Sequence, residues 1–365
     1  MKKRLYHIDL LRFIAALYVL FYHYCFRGPS KDDLSVLHYA PLEDFSKYGY
    51  LGVDLFFIIS GFVILMTALN SDITKFMISR FSRLYPAYWV CLTITAIVIF
   101  FYGAPELKLT LPETLFNLTM LNGFFGVPYV DGVYWSLLIE LKFYILIGII
   151  LLFKSIKHIK LFGMVLLGIA VLQLLFPFKI APFPIKVLYF MTFPEYSSYF
   201  IAGMFFFLIY KDGFQWKYLL AIISCYVVSL QYAFIRIDYL NEAYIHHFSY
   251  VSVTLFITVF YVLFYLISVE KLGILNRKYF LAIGGLTYPL YLIHQNVGYT
   301  IINHTSPFVN KWVLLTLLIL FMLAASYAIH KLIEKPLGSY FRKKLTENRF
   351  VVSIQSKIKT NYTKI

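Results

Sequence analysis

The stretch Ile8-Asp9-Leu10-Leu11-Arg12-Phe13-Ile14-Ala15-Ala16-Leu17-Tyr18-Val19-Leu20-Phe21-Tyr22-His23 is an apolar run with an arginine and a histidine inside it. Wound as a helix, it returns Arg12 and His23 to within about 20° of one face, roughly 16 Å apart along the axis. The two side chains therefore face one groove at two depths. Between them on that face lie Ala15, Ala16 and Val19. These small side chains either leave a lane along the helix or let a neighbouring helix pack closely.

The rest of the chain repeats the pattern of long apolar runs. Of 365 residues, 61% are hydrophobic and 20% aromatic, against 14% charged, and the mean hydropathy is +0.74. A water-soluble domain carries far more charge, so the solvent for most of this chain is lipid. Lipid asks for roughly 20 apolar residues per helical span. The runs fall near residues 8–26, 50–69, 84–102, 133–153, 161–178, 194–210, 217–235, 248–268, 280–301 and 312–333. The expected fold is an all-α integral membrane protein, a bundle of about ten transmembrane helices, in which residues 1–337 form a single domain and 338–365 a polar cytoplasmic tail. No separate soluble domain is expected.

The basic excess, 33 Lys and Arg against 18 Asp and Glu, is strung along the loops rather than gathered into a hydrophilic domain. It therefore reads as an orientation signal and not as a nucleic-acid surface. With the N-terminus inside, Lys75, Arg80, Arg83, Lys154, Lys157, Lys160, Lys211, Lys217, Lys271, Arg277 and Lys278 fall on the cytoplasmic side. The other face holds fewer: Arg27, Lys31, Lys47, Lys108, Lys179, Lys186, Arg236 and Lys311. The expected topology is N-in and C-in, a multi-pass protein of the plasma (inner) membrane. Met1-Lys2-Lys3-Arg4 followed by an apolar run resembles a signal peptide, but Arg12 interrupts the apolar core and no small-x-small cleavage site follows. The run is expected to stay as the first span. Cys25, Cys91 and Cys225 form no paired spacing, so neither a disulfide framework nor a metal site is expected.

Ionisable groups inside a bilayer cost about 2.5–3.5 kcal/mol each, so each needs a partner, a wet cavity or a chemical role. Arg12, His23, Asp54 and Glu140 are such groups. The topology sets His23, Asp54 and Glu140 at one outer level, a histidine with carboxylates able to fix its tautomer, as acid and base chemistry requires. The structural alternative is that Asp54 and Glu140 balance Arg12 and Lys142 in buried pairs. Arg80 and Arg83, three apart, are neighbours on one helix face at the cytoplasmic mouth. They suit a clamp for phosphates, or an anchor to anionic lipid. His294 is another polar group in an apolar run, and a lone histidine there is often a packing residue.

Several segments, taken in order, resemble the membrane acyltransferase-3 family, whose members acylate surface and exported polysaccharides. Arg12 and His23 resemble its Arg-x10-His motif. Gly52-Val53-Asp54 through Ser60-Gly61-Phe62 resembles its Ser-Gly-Phe block, and Arg80-Phe81-Ser82-Arg83-Leu84-Tyr85-Pro86 its Arg-x-x-Arg-x-x-Pro block. Trp135-Ser136 with Glu140 and Tyr144, then Tyr288 with Tyr291 and His294, then Glu334-Lys335-Pro336 match the later blocks. The resemblance runs nearly end to end. It implies an O-acyltransferase that binds no permanent cofactor and uses acetyl-CoA, or another acyl-CoA, as donor. It implies a donor role for Arg12 and a catalytic one for His23; beside it, Arg80 and Arg83 are expected to share the donor's phosphates, Glu140 or Asp54 to orient His23, Ser60, Ser136 or Trp135 to serve the oxyanion, and these three with Tyr144 and His294 to contact substrate. The acceptor would be a hydroxyl of a cell-surface or exported glycan, or of its lipid-linked precursor. The esterase-like domain fused to some members is not expected in these 365 residues.

The rival from another class is a transporter or flippase, since intramembrane histidine and carboxylates also mark proton pathways. No internal repeat supports it. Neither the glycan nor an oligomeric state is encoded in the loops.

Overall fold

The computed structural model describes residues 5–31, 34–103, 107–244 and 247–348. The charged start, Met1–Arg4, and most of the expected tail, 349–365, lie outside the described residues. The described residues contain helix and no strand.

The main helices are α1 (Tyr6–Tyr22), α2 (Leu51–Ala68), α3 (Ile73–Tyr102), α4 (Trp135–Leu152), α5 (Ile159–Leu175), α6 (Pro194–Asp212), α7 (Trp216–Ala243), α8 (Tyr250–Ser268), α9 (Phe280–Thr305), α10 (Lys311–Ile329) and α11 (Lys335–Glu347). Among the described residues, eight helical stretches are long and apolar enough to cross a membrane. These contain α1 to α5, α7, α8 and α10. The runs at 194–210 and 280–301 also fold as helices, α6 and α9, but are not among the eight. Their position explains the difference. Residues 197–209 of α6 are all buried, as are residues 289–300 of α9. Such helices meet protein rather than lipid, and so carry Ser197, Ser198, His294, Gln295 and Asn296, which a lipid-facing helix would not tolerate.

Two glycines set the central packing. A side chain at Gly61 of α2 would strike the backbone carbonyl of Phe200 in α6, and one at Gly203 would strike that of Ile58. The two backbones touch reciprocally, the small-residue device by which helices approach in lipid. The Ala15, Ala16 and Val19 stripe is used the same way. All three are buried, and a side chain at Gly52 would lie 2.7 Å from the carbonyl of Ala15 and 2.9 Å from Val19 Cγ2. The stripe packs against α2; it is not an open lane.

The helix begun by α1 continues through a π-turn, His23–Arg27, and α10 passes into α11 through a second, His330–Glu334. A π-turn inserts one extra residue per turn and re-aims the side chains around it, which is why such turns gather at functional sites. The connection between α3 and α4 folds inward. Tyr85, Tyr88 and Trp89, midway along α3, donate to the carbonyls of Thr119, Asn117 and Leu118 at 2.8–2.9 Å. Asp131 then accepts from the Asn296 N–H at 3.0 Å and the Val133 N–H at 3.1 Å, while the Asn296 amide donates to the Val130 carbonyl at 3.0 Å. Irregular backbone inside a bundle survives only where protein groups satisfy it in this way.

Candidate functional site

Arg12 leaves α1 about two turns in from its start and meets Arg80 and Arg83 of α3 in one cavity. Ser60 from α2, Ser136, Glu140 and Tyr144 from α4, and Tyr288 and Tyr291 from α9 complete much of its lining. The cavity encloses about 740 Å³ including its open mouth. Among the described residues its one lining carboxylate is Glu140, which accepts from the Ser60 hydroxyl at 2.8 Å and the Tyr144 hydroxyl at 2.7 Å. Three guanidinium groups facing one carboxylate give a positive cavity suited to an anion. The Arg80 guanidinium lies 5.7 Å from the centre of the Tyr144 ring, which steadies its plane.

His23, at the other end of α1, lines a second and larger cavity of about 2040 Å³ including its mouth. Its Nδ1 is 3.0 Å from the Tyr299 hydroxyl, leaving Nε2 as the nitrogen without a partner among the described residues. Aromatic rings line much of this cavity, among them Tyr50, Trp135, Tyr196 and Tyr232, with Arg27, Arg236 and Gln295 between them. Apolar rings interleaved with hydrogen-bonding groups form a surface that suits a sugar, whose ring offers C–H faces and hydroxyl edges. Val53 and Tyr291 line both cavities and form the wall between them. The Tyr291 hydroxyl is held by Ser136 Oγ at 2.6 Å and donates to the Val133 carbonyl at 3.1 Å.

The residues expected at the site therefore divide. Arg12, Arg80, Arg83, Ser60, Ser136, Glu140 and Tyr144 gather in the first cavity, whereas His23 and Trp135 line the second. His294 lines neither. It lies fully buried behind His23, the two rings 5.1 Å apart edge to face. Its Nδ1 is held by the carbonyls of Tyr291 and Leu290 at 2.9 and 3.1 Å.

The single level expected for His23, Asp54 and Glu140 is not what the fold builds. Glu140 faces the arginines. Asp54 is fully buried and takes Arg236 Nη1 at 3.1 and 3.2 Å. The reason is angular: Val53 faces the cavities, and the next residue of a helix points about 100° away. Of the alternative, balancing pairs, part is seen with other partners: Asp54 pairs with Arg236, Glu140 shares its cavity with Arg12, and Lys142 sits 3.4 Å above the centre of the Phe190 ring. Arg236, read from sequence as a loop charge, belongs to α7. The signal that could have placed it there is the apolar run continuing beyond it through Ile237 and Leu240. Tyr299, which holds His23, carries no such signal, for tyrosine is common throughout this chain.

Comparison with known proteins gives a match at the level of the family. The acyltransferase-3 family pattern, described as an acyltransferase domain, matches residues 5–331. The chain is 28% identical over 187 residues to the peptidoglycan O-acetyltransferase OatA of Listeria monocytogenes, covering 46% of this chain and 27% of that protein. It is 27% identical over 169 residues to nodulation protein 10 of Rhizobium leguminosarum, 40% of this chain and 44% of that one. Over 101 residues it is 33% identical to the acyltransferase MdmB of Streptomyces mycarofaciens, 27% of this chain and 24% of that one. The chain thus spans less than half the length of each of these relatives. No solved structure matches it.

Proposed function

The chain belongs to the acyltransferase-3 family, a multi-pass membrane protein, and from that premise we propose that it moves an acetyl group from cytoplasmic acetyl-CoA to a glycan hydroxyl on the outer side of the plasma membrane. The observation that carries the reading is the pair of cavities at two depths along α1, an arginine-lined one at Arg12 and an aromatic one at His23 just past its C-terminal end. With α6 and α9 counted as spans, the reading takes ten spans, N-in and C-in.

Arg12, Arg80 and Arg83 receive the anionic end of the donor. The neutral pantetheine arm passes the wall at Val53 and Tyr291, which brings the thioester carbonyl toward His23. There the acceptor hydroxyl gives its proton to His23 Nε2 as its oxygen attacks that carbonyl. The carbon–sulfur bond breaks, and the thiolate takes the proton to leave as free CoA. The Tyr299 hydroxyl fixes the ring through Nδ1, the part a carboxylate plays in other histidine bases. Glu140 then orders the donor side through Ser60 and Tyr144 rather than the base. An exported glycan such as peptidoglycan supplies acceptors of the right chemistry, since the relative OatA is named for acting on that polymer.

Membranes holding the wild-type chain should transfer radiolabel from acetyl-CoA to a polysaccharide fraction. His23→Ala and Arg12→Ala, at matched abundance, should each lower transfer by about a hundredfold or more, in line with the loss of an acid–base group or a donor clamp. Transfer that survives both substitutions would overturn the reading.

A further inference from the structure

Arg80 and Arg83 face two ways. Besides the cavity at Arg12, they line a polar cleft between α3 and α11, about 1160 Å³ including its mouth. The cleft adds Lys335, Arg342 and Lys343 from α11, so that among the described residues five lysine and arginine cations face two carboxylates, Glu334 and Glu347. Glu334 is already engaged by His330 Nδ1 at 2.8 Å.

The cleft has a built floor. Arg80 is 9% exposed and Ser82 is 2% exposed; both line it, and Arg80 Nε and Ser82 Oγ have no hydrogen-bond partner among the described residues. Both atoms are shut off from solvent, so what the cleft offers an incoming anion is its row of cations, with Arg80 anchored at its base. Packing against α3 holds α11 in place. Phe341 sets its ring against Phe81 and Trp89 of α3, centres 5.9 and 6.0 Å away. Gly338 lies over the Ser82 carbonyl, where a side chain would meet that oxygen at 2.7 Å. Arg342 and Lys343, next along the helix after Phe341 and exposed, are thereby carried at the rim.

Resting on the acyl-CoA reading, we infer that α11 completes the donor site, with Arg342, Lys343 and Lys335 taking the 3′-phosphate of the donor's nucleotide end. Acyl-CoA carries its charge at one end, a pyrophosphate followed by a ribose 3′-phosphate, and joins it to the thioester by a thin neutral arm. The two spaces divide that way. The inner cavity meets the cleft at Arg80 and Arg83, which hold the pyrophosphate, and the cations found only in the cleft lie farther out. A phosphomonoester is the most charged group of the donor, so charge-assisted bonds to an arginine and two lysines discriminate strongly for it. Its chemistry is shared by an anionic lipid headgroup, and the experiment separates the two.

Binding of CoA and of 3′-dephospho-CoA is measured calorimetrically on the detergent-solubilised full chain, wild type and Arg342→Gln/Lys343→Gln. Wild type should prefer CoA by about tenfold or more. The double variant should lose that preference while its affinity for 3′-dephospho-CoA stays within about twofold, and Arg342→Lys/Lys343→Arg should keep much of it. A double variant that discriminates as wild type does would overturn the assignment of α11. So would an equal loss for both ligands, the result expected if α11 serves only packing; a cleft that seats a lipid headgroup would instead leave the wild-type discrimination in place. Wild-type protein that binds neither nucleotide would overturn the acyl-CoA reading itself, and this assignment with it.

Discussion

Asp54 and Arg236 show what a single residue risks inside such a bundle. Each charge is tolerable because the other is 3.1 Å away, and removing Arg236 leaves the fully buried Asp54 uncompensated. Arg236→Leu should therefore destabilise the protein by about 3–5 kcal/mol. Asp54→Ala/Arg236→Leu should recover much of that loss. Thermal unfolding in detergent checks both, and a double variant no more stable than the single one would show that the pair does something other than balance charge. The partnership joins residues 182 positions apart, and no local pattern in the sequence could have matched them. By contrast, Arg80 and Arg83 share a helix face by spacing alone, and Arg12 and His23 by 100° arithmetic, so their orientation was legible. The depth of Glu140 was not. It depends on where α4 sits relative to α1, which the packing of α2 between other helices decides.

At the scale of elements, α2 and α6 depend on the reciprocal contact at Gly61 and Gly203. Gly61→Val or Gly203→Val should push the two backbones apart and cost roughly 1–3 kcal/mol or more from overpacking, since the atom met is backbone and cannot swing aside. The measurement is the fraction of detergent-extracted protein that stays monodisperse on mild heating; wild-type behaviour in both variants would count against the contact. The same helices explain where hydropathy misleads. It reports contact with lipid, so it registers the outer helices clearly and weakens for α6 and α9, whose neighbours are protein. The infolded connection before α4 was equally hidden. Its backbone is satisfied by Tyr88, Trp89, Asp131 and Asn296, side chains whose targets are carbonyls and N–H groups that a sequence does not display.

For the whole molecule, the partition formed by Val53 and Tyr291 has an electrical meaning. A living membrane holds a voltage worth about 2.3 kcal/mol per elementary charge for each 100 mV, and in the proposed topology cavities entering from both ends would shorten the insulator across which it drops to the stretch at these two side chains. In the proposed transfer the acetyl group is neutral and crosses that stretch without work, whereas a proton would be driven through it. In liposomes under an imposed potential, Val53→Ala/Tyr291→Ala should raise proton leak several-fold over wild type, read with an enclosed pH dye; unchanged leak would mean that the insulation lies elsewhere. In the function proposed above, handing a small uncharged group across two side chains would let the cell decorate its exterior while its battery stays charged.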